Sequence, residues 1–125
     1  SNVVNVYMYP EIVGGLVLPI EQTLCSNSTQ LPKVISISQN NHYTNGTVSY
    51  QWQKFTFTNP IWTNIPNANQ ATYQPPIANE VVYYRLKVTS TACNAVGYSS
   101  QSVVYVNNNC TGQKLISKKA KPTKK

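Results

Sequence analysis

Short segments in which apolar and polar side chains alternate dominate this chain. The alternation runs through residues 48–53 and 82–88, and a shorter version surrounds residues 35–37. Successive side chains of a β-strand point to opposite faces, so this period of two predicts strands with one buried face. Residues 103–106 form a more continuous apolar run and predict a further strand.

Turn-forming pairs separate the predicted strands. Asn-Gly, Asn-Pro and Pro-Pro pairs occur at 45–46, 59–60 and 75–76. Such pairs favour turns, and no stretch before residue 112 combines helical periodicity with a helix cap. We therefore predict an all-β fold, an immunoglobulin-like antiparallel β-sandwich of about seven strands.

Three residues of the alternating segments are predicted to lie in the core. Trp52 is expected to be the central tryptophan of the sandwich. Tyr84 stands where a tyrosine-corner residue would, two positions before the inward-facing Leu86. Antibody domains place a cysteine at that later position, so any disulfide here differs from theirs.

The two ends of the predicted domain resemble each other. Residues 1–7 and 100–106 each place a Val-Val pair and a further Val after Ser and an amide residue, about one immunoglobulin-sized domain apart. We therefore expect residues 1–11 to be a strand or linker of a preceding repeat, with a first strand of this domain as the alternative. The sandwich is predicted at 12–108, and a flexible Lys-rich tail at 109–125.

The charged residues of this chain are few, and most of the basic ones lie near its C-terminal end. Charged residues make up 10% of the chain, against roughly 25% in an ordinary soluble domain. Six lysines follow residue 111, and the remainder carries four basic and three acidic residues, so +6 of the net charge of +7 belongs to the tail. Without a basic folded face we expect no nucleic-acid partner. The tail itself is a candidate electrostatic anchor for an anionic polymer or membrane surface.

A composition poor in charged residues and rich in Tyr is typical of secreted β-rich surface proteins. No segment reaches the ~20 apolar residues of a membrane span, so no membrane insertion is expected.

The chain has three cysteines, Cys25, Cys93 and Cys110. Cys25 precedes one predicted strand and Cys93 follows another, and these segments can meet at one end of a sandwich. We therefore predict a Cys25–Cys93 disulfide, with three reduced thiols as the alternative. Cys110 is then free, or pairs with a neighbouring repeat or with a segment outside this sequence.

Catalytic chemistry has little support in this sequence. It contains no Asp, its three Glu are scattered at positions 11, 21 and 80, and its one His is His42. Acid–base, Ser/His/acid and calcium sites all need more carboxylates than that. We therefore predict no catalytic residues, no metal site and no cofactor, and expect the protein not to be an enzyme.

Ligand binding by aromatic side chains is the stronger possibility. Trp62, Tyr73 and Tyr43 are candidate ligand-contact residues, and Tyr98 is a further partly exposed aromatic. Their faces can stack on sugar rings, as in a carbohydrate-binding module. The competing interpretation is that Trp62 and Tyr73 pack the sandwich, because aromatic residues are common in half-buried strands.

Several dispersed motifs together resemble a known family. They are SYQWQ at 49–53, WTNI at 62–65, ATYQP at 71–75 and VYYRLKVTS at 82–90, preceded by GG at 14–15 and EQTLC at 21–25. In this combination the chain resembles, over roughly residues 1–106, the immunoglobulin-like repeats of the large Bacteroidetes surface adhesins, the SprB-type gliding-motility adhesins. The Lys-rich tail and Cys110 depart from that pattern.

The resemblance implies secretion by the type IX system and display on the bacterial outer surface. It implies a non-catalytic extracellular repeat module of a large adhesin that provides spacing and adhesion in gliding motility or surface attachment. Its partners would be neighbouring repeats of the same polypeptide and surface polysaccharide. The alternative is a carbohydrate-binding module of a secreted polysaccharide-acting protein.

Overall fold

A computed structural model describes residues 14–27, 29–38, 47–91 and 94–108. This part of the chain is all-β, without a helix, and forms nine strands in two sheets. The strands are β1 (Val17–Leu18), β2 (Glu21–Cys25), β3 (Ile35–Ile37), β4 (Val48–Thr56), β5 (Thr63–Asn64), β6 (Thr72–Tyr73), β7 (Val82–Ser90), β8 (Val96–Tyr98) and β9 (Ser102–Asn107). The all-β prediction is confirmed, and the immunoglobulin-like topology stays a prediction. No helix in these residues is long and apolar enough to cross a membrane.

The larger sheet has six strands, with β2-β9-β7-β4-β5 in order and β8 also paired with β7. Its centre is the β4–β7 pair, which is antiparallel over nine positions from Val48↔Ser90 to Thr56↔Val82. The smaller sheet has the order β1-β3-β6. The two sheets enclose one hydrophobic core.

One strand pair differs from the antiparallel prediction, because β2 runs parallel to β9. The reason is a change of sheet early in the chain. β1 pairs with β3 in the smaller sheet, and β2 then joins the edge of the larger sheet beside β9. Pro19 lies between the two strands and has no N–H to continue a ladder, so the first pairing ends there.

The core follows the alternation seen in the sequence. Every second residue of β7 from Val82 to Ser90 is buried. Trp52 faces Leu86 across the β4–β7 register, and both side chains are fully buried. The indole Nε1 of Trp52 donates a hydrogen bond of 2.8 Å to the carbonyl oxygen of Gln70, which satisfies its one polar group.

The buried Tyr84 lies in the same core, with its ring 5.6 Å from that of Tyr73. Burial, and to a smaller extent the neighbouring Tyr73, raises the pKa of the Tyr84 phenol. Trp52, Tyr84 and Leu86, the three residues expected in the core, therefore pack together.

The chain enters and leaves the described sandwich at opposite ends of β9. Near the start, the carbonyl oxygen of Gly15 accepts a 3.0 Å hydrogen bond from the N–H of Ser100, just before β9 begins. At the other end, Asn108 directly follows β9. With a rise of about 3.3 Å per residue, these two points are on the order of 25 Å apart. The predicted segments at 1–11 and 109–125 lie outside the described residues.

Candidate functional site

The outer face of the larger sheet carries a cluster of aromatic side chains. Because Trp52 and Leu86 point into the core, their strand neighbours point outward. In this outward phase Phe55 is paired with Tyr83, and the next outward pair is formed by Gln53 and Arg85. We call the following set the outer aromatic face: Phe55, Phe57, Trp62, Tyr83, Arg85 and Tyr98.

Three rings of this face are mutually perpendicular. The centroids of Phe55 and Phe57 lie 5.9 Å apart at 87°, those of Phe55 and Tyr83 6.0 Å apart at 83°, and those of Phe57 and Tyr83 5.8 Å apart at 86°. Edge-to-face geometry at this distance is favourable, because the positive edge of one ring meets the negative face of another. The three rings are therefore not coplanar and do not form one flat stacking surface.

Arg85 links this cluster to the other edge of the face. Its guanidinium carbon lies 4.3 Å from the ring centroid of Trp62 and 3.8 Å from that of Tyr98, within the range of a cation–π contact. Burial lowers the pKa of the Arg85 guanidinium, and the nearby Tyr98 opposes that shift. One face of Trp62 is thus occupied by a side chain of the protein itself.

A hydrogen-bonded chain holds the guanidinium in place. The Nε of Arg85 donates to the Oε1 of Gln53 at 2.8 Å, and the Nε2 of Gln53 donates to the Oδ1 of Asn64, also at 2.8 Å. Asn64 belongs to the edge strand β5, which pairs with β4 immediately after Trp62. The short strand β5 therefore positions Trp62 over the sheet.

A shallow groove of about 230 Å³ opens on this face. It is lined by Phe55, Phe57, Trp62, Tyr83 and Gln101. Small-molecule sites usually have about 300–1,000 Å³, so the groove has room for one side chain or one sugar ring. Its lining consists of aromatic rings and one amide, which suits contact and stacking rather than acid–base chemistry.

Part of this face is both apolar and open to solvent. Phe57 is 68% exposed, and its ring packs edge-to-face against those of the half-buried Phe55 and Tyr83. Contiguous exposed apolar side chains mark interaction surfaces more often than isolated ones do. The outer aromatic face is therefore the candidate contact surface of the described residues.

Carboxylates lie elsewhere in the described residues. Glu80 accepts hydrogen bonds from the hydroxyl of Thr58 at 2.9 and 3.1 Å, and Glu21 lies exposed on β2. No group of three or more His, Cys, Asp or Glu within this part of the chain could hold a metal ion. Glu11 and His42 lie outside it.

The structure separates the candidate ligand-contact residues. Trp62 lies on the outer aromatic face, whereas the half-buried Tyr73 stacks on the core side chain Trp52 with centroids 6.1 Å apart. Burial accordingly raises the pKa of the Tyr73 phenol. Tyr43 lies outside the described residues. Tyr73 therefore takes the packing role that was the competing interpretation.

Phe55, Phe57 and Tyr83 are not among the contact residues predicted from the sequence. The sequence contained one signal for two of them. Phe55 and Tyr83 occupy the outward-facing positions of the alternating strands, where polar residues are expected. An aromatic residue in the outward phase of a strand indicates a covered or contact-making face.

Cys25 ends β2 and is disulfide-bonded. Both possible partners within the chain, Cys93 and Cys110, lie outside the described residues. The Cys25–Cys93 pairing therefore stays a prediction at this point.

Comparison with known proteins gives a family but no function. No curated protein and no solved structure matches the chain. A family model described as "Domain of unknown function (DUF8696)" matches residues 15–108. The match begins beside Gly14 and ends at the last described residue, so it covers the two-sheet unit described above. Since it also spans about three quarters of the sequence, the chain belongs to the DUF8696 domain family.

Proposed function

We propose that this protein is a non-catalytic, immunoglobulin-like module of a large surface adhesin, which provides spacing along the adhesin and contact through its outer aromatic face. In this proposal the module is secreted, stands on the bacterial outer surface among neighbouring repeats, and serves gliding motility or surface attachment. The motif resemblance at residues 49–90 motivates the setting.

The observation that carries the spacing role is the position of the two ends of the described sandwich. Gly15 lies at the start of β9 and Asn108 at its end, so the chain crosses the module from one end to the other. A domain with this arrangement adds its full length to a tandem array, whereas a domain with adjacent ends would fold the array back on itself.

The outer aromatic face supports the contact role. Phe57 is largely exposed, and the perpendicular rings of Phe55 and Tyr83 hold it upright. Burying a phenylalanine side chain against another surface is worth about 1.5–3 kcal/mol. Many such weak contacts in an array add up to firm but reversible attachment, because linked sites raise the effective concentration of one another.

The test is attachment of beads coated with the full chain to polystyrene and to agarose under flow. We expect Phe57→Ser to weaken attachment by about tenfold per module, because it removes an apolar contact worth at least 1.5 kcal/mol. Val34→Ser is the matched control, since Val34 is 48% exposed just before β3 in the smaller sheet. Equal attachment of the Phe57→Ser and wild-type proteins would refute the role of this face.

A second candidate is a carbohydrate-binding module, which the aromatic groove with its one amide, Gln101, favours. Its weakness is geometric. Flat stacking on sugars calls for coplanar exposed rings, whereas three rings here are perpendicular and Arg85 covers one face of Trp62. On a glycan array, specific binding that is lost in Trp62→Ala would favour this candidate over the adhesin module.

A further inference from the structure

The strand register limits which cysteine can pair with Cys25. In the parallel β2–β9 pair, Cys25 lies directly beside Asn107. The N–H of Ser26 also donates a 3.0 Å hydrogen bond to the carbonyl oxygen of Asn107, which holds the two strand ends together. Cys110 follows Asn107 by three residues, which span at most about 11 Å. Its sulfur is therefore within reach of Cys25.

The same register places the end of β7, three residues before Cys93, far from Cys25. In the antiparallel β7–β9 pair Val82 faces Val104, so β7 runs away from the end of β9 where Asn107 lies. Ser90 is then eleven strand positions from the level of Asn107, about 36 Å along the sheet at 3.3 Å per residue. Three further residues to Cys93 recover at most about 11 Å, whereas the Cα atoms of a disulfide lie within about 7 Å.

We propose that Cys25 is bonded to Cys110 and that this disulfide clamps the end of β9 to the end of β2. This pairing replaces the Cys25–Cys93 prediction and leaves Cys93 as the third cysteine. The two thiols lose two protons and two electrons as the S–S bond forms. The electrons reduce the disulfide of an oxidised dithiol carrier through thiol–disulfide exchange.

The clamp changes how the module carries tension, a consequence that rests on the proposed spacing function. Tension that enters at Gly14 and leaves beyond Cys110 passes along residues 14–25 and across the disulfide. The residues between the two cysteines lie in a closed loop and bear no load. Unfolding then releases at most about 40 Å of chain, against about 350 Å when the disulfide is reduced. The oxidised module is nearly inextensible.

Peptide mapping of the full, unreduced chain tests the pairing. Trypsin alone leaves Cys93 and Cys110 in one peptide, 88–114, so the digestion also needs chymotrypsin, which cleaves after Tyr98 and Tyr105. Free thiols are alkylated first. We expect the Cys25 peptide to be linked to the Cys110 peptide, with the alkyl group on Cys93. A link to Cys93, or three alkylated cysteines, would overturn the proposal.

Single-molecule extension tests the mechanical consequence separately. We expect the wild-type protein and Cys93→Ser to show the short extension, and the Cys93→Ser/Cys110→Ser double variant to show one about eightfold longer. Reductant added to the wild-type protein should give the same long extension, which makes the test independent of how the variant folds. Equal extensions with and without reductant would refute the clamp. Bead attachment does not depend on this result, so failure of the clamp and failure of the adhesin proposal remain distinguishable.

Discussion

Replacing Arg85 by alanine tests whether the outer aromatic face is a built structure or a chance grouping of surface rings. The substitution removes the guanidinium between Trp62 and Tyr98 and the hydrogen bond to Gln53. It also leaves the Oε1 of Gln53 without that donor, although Gln53 is only 7% exposed.

The magnitude follows from these contacts. Two cation–π contacts at a partly exposed site contribute about 0.5–1 kcal/mol each. A hydrogen bond from a charged donor contributes about 1.5–3 kcal/mol. Allowing for water that can replace part of the lost hydrogen bonding, we expect Arg85→Ala to lower the free energy of unfolding by about 2–4 kcal/mol. Arg85→Lys keeps the charge but loses the planar stacking, so it should recover less than half of that loss.

Urea denaturation followed by tryptophan fluorescence is the assay, because Trp52 reports on the core and Trp62 on the outer aromatic face. Lys87→Ala is the control, since Lys87 lies two residues from Arg85 on the same face of β7. It should change the free energy of unfolding by less than about 0.5 kcal/mol. A loss below 0.5 kcal/mol for Arg85→Ala as well would refute the view that the arginine organises this face.

Three further predictions concern the fold. Leu86→Ala should lower the free energy of unfolding by about 2–5 kcal/mol in the same denaturation assay, because Leu86 is fully buried and its truncation leaves a cavity in the core. Stability should fall above about pH 10, because the raised pKa of Tyr84 favours folding only while the phenol is protonated, and Tyr84→Phe should flatten that fall in urea titrations from pH 8 to 11. Gly14→Ala should lower the thermal midpoint, because its Cβ would meet the backbone carbonyl of Tyr98, and an unchanged midpoint in calorimetry would contradict that close approach.

The long strands were predictable because their pattern is unambiguous. β7 alternates without a break from Val82 to Ser90, and Trp52 and Leu86 both fall in the apolar positions of such segments, which the structure buries side by side. The two-residue strands β1, β5 and β6 were not predictable, because a pattern of period two needs more than two residues. They exist through tertiary pairing with longer strands rather than through local preference.

The parallel β2–β9 pair and the contact surface could not be predicted from the sequence for a different reason. Pro19 indicates that a strand ends, but nothing in residues 17–25 indicates which sheet the next strand joins, and that choice sets which cysteines can meet. The outer aromatic face also depends on the placement of Trp62 and Tyr98 beside Arg85, and that placement is known only once the pairing of β5 with β4 and of β8 with β7 is known. Trp62 was identified by residue type, whereas Tyr73 has the same kind of side chain and turned out to pack on the core.

The most direct test of the central proposal is the attachment of intact cells that display the protein with a single substitution, Phe57→Ser or Val34→Ser. Antibodies against residues 14–108 first establish that each variant stands on the cell surface in equal amount. We predict that Phe57→Ser cells attach to polystyrene under flow severalfold less than wild-type cells, while Val34→Ser cells attach normally. Equal attachment of all three, or failure of the antibodies to label intact cells, would contradict a surface adhesin module that makes contact through its outer aromatic face.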